Sequence, residues 1–555
     1  MKKEYTEIDP DEILLDSSNI PKYDSYQFEG RLEKPISKAT LVTTGMLFAL
    51  IMTIFIIRTW DIQIVNGEVY KNRSERNLLR PVPIFAGRGA IFDRNGIELA
   101  WNDPPPDIEN TVARRMYATT TGMAHILGYV RYPTKDNNGF YYREDFEGVD
   151  GAEKYFNGDL RGVNGSRLVE VDAKGNIFSE NIVRPPERGE NITLSINSRV
   201  QSALFNNIKD VADNIGFTGG AGIIMDIHTG EIIAITSYPE YSPQIISDGT
   251  DSSVIRKMLN NSNLPFLDRA IDGLYTPGSI VKPYIALGVL NENIIDPSSI
   301  IITTGSISLP NLYDSTKSTV FRDWKNNGPL DLRRAIAMSS DAYFYIVGGG
   351  YKEQKGLGIA KIDQYLKMFG FGTAIPSSFV SGKSGTIPTP EWKKLTFNED
   401  WYIGNTYHTS IGQYGFQVTP AQIVRAVAAI ANGGTVLNPT ILKDSVPAID
   451  HIISTVPEKD YQIVREGMRL SVTEGTSKAL NVPYITVAGK SGTAELGVSK
   501  EKVNSWMTGF FPYENPRYAF VVMLENGSVH NLIGAASVMR KQLDWMNVNT
   551  PEYFK

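Results

Sequence analysis

No cysteine occurs anywhere in the 555 residues. Thiol catalysis, disulfide bonds and cysteine-ligated zinc are therefore excluded, and any compartment is compatible. Histidine is nearly as scarce. His125, His228, His408, His451 and His530 are the only five, and no two stand at helical ligand spacing, so neither a metal nor another cofactor is expected. Positive charge is not in excess: the net charge is −6 with no long basic run, which argues against a nucleic-acid partner. There is no internal repeat and no G-x-S-x-G elbow. What is present is ordinary for folded protein, with 42% apolar and 21% charged residues. The length allows about two to four domains.

Residues 1–38 are polar, mixed in charge and marked by Pro10, Pro21 and Pro35, and read as a mostly disordered cytoplasmic tail. Ala39 to Ile57 then carries no charge and is bracketed by Lys38 and Arg58. Such a run is long enough to span a bilayer. The polar lead is too long for a signal peptide and no small-x-small site follows Ile57, so 39–58 is expected to be a retained transmembrane anchor. Basic residues are similar on both flanks and do not set the orientation. The long C-terminal part is placed outside the cytoplasm, because long segments translocate regardless of flanking charge.

Residues 59–200 show short strand-like segments punctuated by glycine. Asn95-Gly96 predicts a hairpin turn, Lys174-Gly175 a second, and Arg184 to Glu190 a linker. The expectation is an extended β-rich pedestal. The texture changes in 215–546. Ala221–Ile227 and Glu231–Ile235 read as a hairpin of buried strands around the turn His228-Thr229-Gly230. Apolar helical runs follow at Leu332–Val347 and Pro420–Ala431. Strands return near Ile485, Trp506–Phe511 and Tyr518–Leu524, before a closing helix at Gly534–Trp545. Strands at both ends with helices between predict an α+β domain, with one antiparallel sheet whose first and last strands meet, covered by helices.

Chemistry concentrates in three stretches. In Tyr275-Thr276-Pro277-Gly278-Ser279-Ile280-Val281-Lys282 the first residues break structure and an apolar helix follows. Ser279 at the helix start has Lys282 one turn on, a nucleophile with a candidate base that can approach hydrogen-bonding distance. A lysine base must be neutral part of the time, which requires burial or a second cation. Ser339 and Asp341 place a hydroxyl and a carboxylate two residues apart, hence on a loop or at a helix end. Lys490-Ser491-Gly492-Thr493 follows a strand and offers a cation, two hydroxyls and a glycine where a substrate backbone could approach. The same four letters stand at Lys383-Ser384-Gly385-Thr386, but Pro388 and Pro390 follow and forbid a central strand. The copy at 490 is expected to be the functional one.

In this order, about 60 and then about 150 residues apart, the three stretches resemble the motif set of the penicillin-recognising serine acyltransferases. Arg88–Gly96, His125–Tyr129, Gly148–Tyr155 and Met225–Pro239 extend the resemblance to the class B penicillin-binding proteins of cell-wall synthesis. Trp401-x-x-Gly404-Asn405-Thr406, Ser410-Ile411-Gly412-Gln413 and aspartate at 341 look most like the elongation-type penicillin-binding protein 2. The resemblance implies a membrane-anchored peptidoglycan D,D-transpeptidase that is also the target of β-lactams. In it Ser279 attacks the D-Ala-D-Ala carbonyl of a stem peptide and Lys282 takes the serine proton. Ser339 relays that proton toward the leaving amine, and Asp341 orients Lys282. Lys490 holds Ser339 and draws the substrate carboxylate, with Ser491, Gly492 and Thr493 binding substrate. The backbone N–H groups of Ser279 and Thr493 form the oxyanion hole. Implied partners are stem peptides, β-lactams, the cell membrane, a SEDS-type glycan polymerase and other elongation proteins. A D,D-carboxypeptidase, a β-lactamase or a catalytically weak cell-wall scaffold are the alternatives. Two departures stand out. Only about 25 residues separate Leu99 from His125, where the family has a larger head. Tyr414 occupies the last glycine position of Ile-Gly-Gln-Gly, read equally as a neutral loop change or a reshaped cleft wall.

Overall fold

The structure is a computed structural model that describes residues 37–71, 79–104, 112–136, 141–171, 177–310, 314, 317–377 and 379–555. The expected turn at Lys174-Gly175 and nearly all of the N-terminal tail lie outside these residues. The chain divides into two compact units, Met1–Val82 with Arg167–Ile182, and Pro83–Ser166 with Val183–Lys555.

In the first unit, helix α1 (Lys38–Trp60) starts at Ser37, whose hydroxyl accepts the Thr40 N–H at 3.0 Å. It continues through a wider turn at Asp61–Val65. The segment Lys38–Val65 reaches a mean hydropathy of 2.3 and buries none of it within the protein. A helix apolar on every side with no protein against it needs a non-aqueous surround, and this one is long enough to span a membrane. Residues 79–82, 167–171 and 177–182 of this unit belong to a three-stranded sheet in which the second of these strands is central.

The second unit begins with short strands. Ile91–Phe92 pairs antiparallel with Glu98–Asp103 across the Asn95-Gly96 turn, where Gly96 has φ 81°. Asp93 organises this corner. One carboxylate oxygen accepts the N–H groups of Asn95 and Ile97, and the other accepts the Ser198 hydroxyl at 2.7 Å. The turn is thereby fastened to the start of helix α2 (Ser198–Ile215). Nearby, the fully buried Glu153 accepts from Arg88 at 2.5 Å and from Arg115 at 2.7 Å. Removing that carboxylate would leave two buried guanidinium groups unpaired.

The main sheet holds five antiparallel strands: β1 (Gly219–Asp226), β2 (Ile232–Tyr238), β3 (Ala488–Leu496), β4 (Lys502–Phe511) and β5 (Tyr518–Ser528). Their order is β2-β1-β5-β4-β3, so the first hairpin meets the last strand, as expected. Ile223 pairs with Val521 and Gly222 with Val522. Side chains alternate between two cores, because successive strand residues point to opposite faces. Ile224, Phe520 and Val522 pack with Leu204 and Ile208 of α2 and with Leu543 and Met546 of a closing helix. Ile223, Met225, Val521 and Met523 face the other core. There they meet α3 (Lys282–Asn291), α4 (Leu332–Met338), α5 (Asp341–Gly349), the wholly buried α6 (Pro420–Ala431) and α7 (Glu458–Thr473), while the closing helix is α8 (Ala535–Asn549).

The apolar helical run Leu332–Val347 is divided into α4 and α5 at Ser339, which sits at φ 56°, ψ 37°, the helix-end geometry expected of the Ser339–Asp341 stretch. A left-handed residue ends a helix, and Ser340 starts the next one by accepting the Tyr343 N–H at 3.2 Å. Asp323 fixes the break, accepting from the Ser340 hydroxyl at 2.6 Å and from the Ala342 N–H at 3.1 Å. The apolar period is real on both sides of it.

Candidate active site

The nucleophile turn is pinned on two sides. Tyr275 exchanges backbone hydrogen bonds with Val418, and the Gly278 N–H donates to Gly412 O at 3.0 Å. Gly278 has φ 60°, and a Cβ there would stand 3.0 Å from Thr493 O, so glycine is required on both counts. Gly278–Val281 form a 3₁₀ turn that runs into α3. In such a turn residues three apart eclipse, which sends Ser279 and Lys282 off the same edge.

The expected hydrogen bond between them is absent. Ser279 is half-buried and its hydroxyl has no partner among the described residues. Lys282, fully buried, donates instead to Asp341 Oδ1 at 2.6 Å and Ser339 O at 2.7 Å, and lies 3.4 Å from Ser339 Oγ. A carboxylate and a carbonyl within one ammonium's reach outcompete a neutral hydroxyl for its protons.

Lys490 approaches the same serine from the sheet. Its Nζ donates to Ser339 Oγ and to Ser491 O, each at 2.8 Å. Ser339 thus stands between two lysines that share a single carboxylate. Burial holds the Lys490 amine well below the ordinary lysine range, the neighbouring Lys282 lowers it further, and Asp341 opposes both.

The strand that carries Lys490, β3, is the outer one of the sheet. Gly492 lies against the nucleophile turn, where a Cβ would come within 2.9 Å of Ile280 and 3.0 Å of Pro277 O. Thr493 is exposed. Ser491 points its hydroxyl at Thr476 Oγ1, 2.7 Å away. Trp506 on β4 donates to Thr276 O at 3.0 Å. The structure therefore brings Lys282, Ser339, Asp341 and Lys490 together, with Ser279 and Gly492 on adjoining backbone. Lys383 is elsewhere, exposed on a loop beside Ile271.

Two supporting residues escaped the sequence reading. Asp323 and Thr476 lie outside the motifs, and no local pattern marks them, whereas Gly412 belongs to the Ser410–Gln413 segment already singled out. The Trp401–Thr406 segment is structural: Trp401 Nε1 donates to Thr406 at 2.8 Å, and Asn405 caps its own helix by accepting the Tyr402 N–H at 2.9 Å. Tyr414 holds φ 66°, a conformation that favours glycine, with its ring edge-on to Trp392 and Trp401 at 6.0 and 5.8 Å. The aromatic contacts offset the backbone cost. No three His, Asp or Glu side chains among the described residues are arranged to hold a metal ion.

Residues 220–544 match the family of the penicillin-binding protein transpeptidase domain, and residues 107–194 match the penicillin-binding protein dimerisation domain. The peptidoglycan D,D-transpeptidase MrdA of Haemophilus influenzae is 28% identical over 97% of this chain and 96% of its own. A crystal structure of Pseudomonas aeruginosa PBP2 in complex with WCK 5153 is similar at TM-score 0.71 and 28% identity, covering 86% of this chain and 98% of that one. A structure from a peptidoglycan synthase complex that coordinates polymerization and crosslinking is similar at TM-score 0.70 and 25% identity, covering 91% and 98%.

Proposed function

The chain belongs to the penicillin-binding protein transpeptidase family, and from that premise we propose that it is a membrane-anchored peptidoglycan D,D-transpeptidase. The observation that carries the reading is the single Ser339 hydroxyl held by Lys490 at 2.8 Å, beside a Lys282 that is paired with Asp341. This is proton-transfer machinery next to a serine whose hydroxyl has no partner among the described residues.

Ser279 Oγ attacks the carbonyl of the penultimate D-alanine of a stem peptide. Burial and the neighbouring Lys282 hold the Lys490 amine below the ordinary lysine range, and Ser339 links that amine to Lys282. When Lys282 is neutral it takes the Ser279 proton. The proton passes through Ser339 to the leaving nitrogen, and D-alanine departs. An amine from a neighbouring stem then attacks the acyl-enzyme, its proton returns to Ser279, and the cross-link is made. The backbone N–H groups of Ser279 and Thr493 stabilise the oxyanion, an interaction worth about 3 kcal/mol per donor. Exposed Thr493, with Ser491 and Gly492, supplies the substrate edge.

Topology and partners follow the same proposal. Residues 39–58 anchor the chain, 59–200 form a pedestal, and 215–546 work outside the cytoplasm beside a SEDS-type glycan polymerase and other elongation proteins. The similarity to a chain of a peptidoglycan synthase complex supports such partners.

The test is acylation by a fluorescent penicillin with peptide mapping, followed by cross-linking of purified stem peptides. Label on Ser279 alone, and cross-linked product lost in Ser279→Ala, is expected. Release of D-alanine without cross-links would favour a carboxypeptidase. Turnover of penicillin would favour a β-lactamase.

A further inference from the structure

A cavity of about 470 Å³ lies apart from the nucleophile turn, where the segment around His125 and Asp150 meets the loop Asp268–Asp272 and the exposed Lys383. Its lining is polar and sorted by depth. His125 is 7% exposed, packs edge-on against Tyr241, and leaves Nε2 without any hydrogen-bond partner among the described residues. Asp150 and Asp268 are half-buried, whereas Asp272, Lys154 and Lys383 stand at the rim.

With Asp268 ionised, the deep groups lining the cavity are all acceptors. Asp150 Oδ2 is 3.1 Å from the Tyr241 hydroxyl and Asp268 Oδ1 accepts the Ala270 N–H at 2.9 Å, so each has lone pairs to spare. Burial holds the His125 imidazole down to about 3, so at neutral pH it is uncharged. An uncharged imidazole nitrogen and two carboxylates call for a donor with several N–H groups. The described His, Asp and Glu side chains converge nowhere for a metal ion. The two lysines at the rim suit an anionic group at the ligand's other end. The volume is that of a small organic ligand and exceeds one amino acid.

We propose that this cavity binds a short peptide or amino-acid derivative, its free ammonium seated on Asp150, Asp268 and His125 Nε2 and its carboxylate turned toward Lys154 and Lys383. The site is additional to the transpeptidase centre and does not depend on its assignment.

Proton linkage sharpens the proposal. Burial first, and then Asp272 and Asp150, push the Asp268 carboxyl up to about 7. Tyr241 and Tyr275 also face it, and Arg269 stands near His125. A bound ammonium favours the ionised form of Asp268, so affinity rises with pH through about 7 and falls below it.

The experiment is calorimetric titration of the full-length protein, its Ser279 acylated with penicillin, using L-alanyl-L-alanine, its N-acetyl form and its C-terminal amide. The free dipeptide is expected to bind, with N-acetylation weakening it about tenfold or more, the worth of one charge-assisted hydrogen bond. Amidation should cost about threefold, since exposed lysines contribute less. Asp150→Asn should erase the discrimination against the N-acetyl form, and Lys383→Ala that against the amide. Equal affinity for all three probes, no heat with any of them, or unchanged discrimination in both variants would overturn the proposal. The surface change Lys383→Ala keeps the test decisive if Asp150→Asn fails to fold. Repeating the titration on Ser279→Ala, which needs no acylation, separates the outcomes, because a wild-type protein that resists penicillin refutes the transpeptidase reading without touching this one.

Discussion

The chain contains K-S-G-T twice, and the two copies occupy opposite environments. Lys490 is fully buried at the end of a hydrogen-bond path through Ser339, on a strand paired along its whole length with β4. Lys383 is exposed on a loop, and the backbone of its Thr386 pairs only with Gln417. Four identical letters become a displaced amine in one place and a solvated cation in the other. The difference arises from what arrives from elsewhere in the chain, above all α4–α5 and the nucleophile turn. Burial and a second cation change lysine chemistry; the motif by itself does not.

The largest test of this contrast is Lys490→Ala. Removing the amine that holds Ser339 should slow acylation by fluorescent penicillin roughly 100-fold or more. Acylation near the wild-type rate would mean that the buried copy is no more chemical than the exposed one. The glycines of the two copies give a second comparison. Gly492→Ala pushes a methyl against Ile280 and Pro277 O, so it should shift the nucleophile turn and slow acylation by roughly tenfold to 100-fold. Gly385→Ala meets Gln417 O at 2.3 Å and would hold φ 69°, so its cost should appear as about 1–3 kcal/mol of stability. Thermal melts and labelling time courses on both variants read the two effects separately. A melting loss in Gly492→Ala as large as in Gly385→Ala would erase the distinction.

The smallest expected effect concerns pH. Burial and Lys282 lower the Lys490 amine, and Asp341 raises it. Neutralising that carboxylate in Asp341→Asn removes the one opposing influence, so the Lys490 amine loses its proton at lower pH. The rising limb of the acylation–pH profile should move toward acid by up to about one unit. An unmoved limb would show that the Asp341 charge does not set the pH dependence, and complete inactivity would show that its hydrogen bond to Lys282 matters more.

Much of this was legible in the sequence. The closing of the sheet by its last strand follows from buried strand patterns at both ends of the domain, and the choice of Lys490 over Lys383 follows from the prolines after the second. The rest was not local information. The helix end at Ser339 was expected, but its anchor was not: Asp323 holds Ser340 and Ala342 from a separate loop. The missing Ser279–Lys282 contact was misjudged because helix spacing shows who can meet, not who competes. Asp341, 59 residues from Lys282 in sequence, is the competitor. His125 reads as an unremarkable histidine until the fold leaves its ring nitrogen inside a cavity.

The position of β3 at the margin of its sheet has a further consequence for solubility and assembly. An outer strand presents unpaired backbone groups, and such an edge can recruit a strand from another molecule. Beyond Thr493 the margin is flanked by charge, with Glu495 paired to Lys500 at 2.6 Å and Glu501 and Lys502 following. Charge beside an outer strand disfavours the edge-to-edge pairing that leads to aggregates.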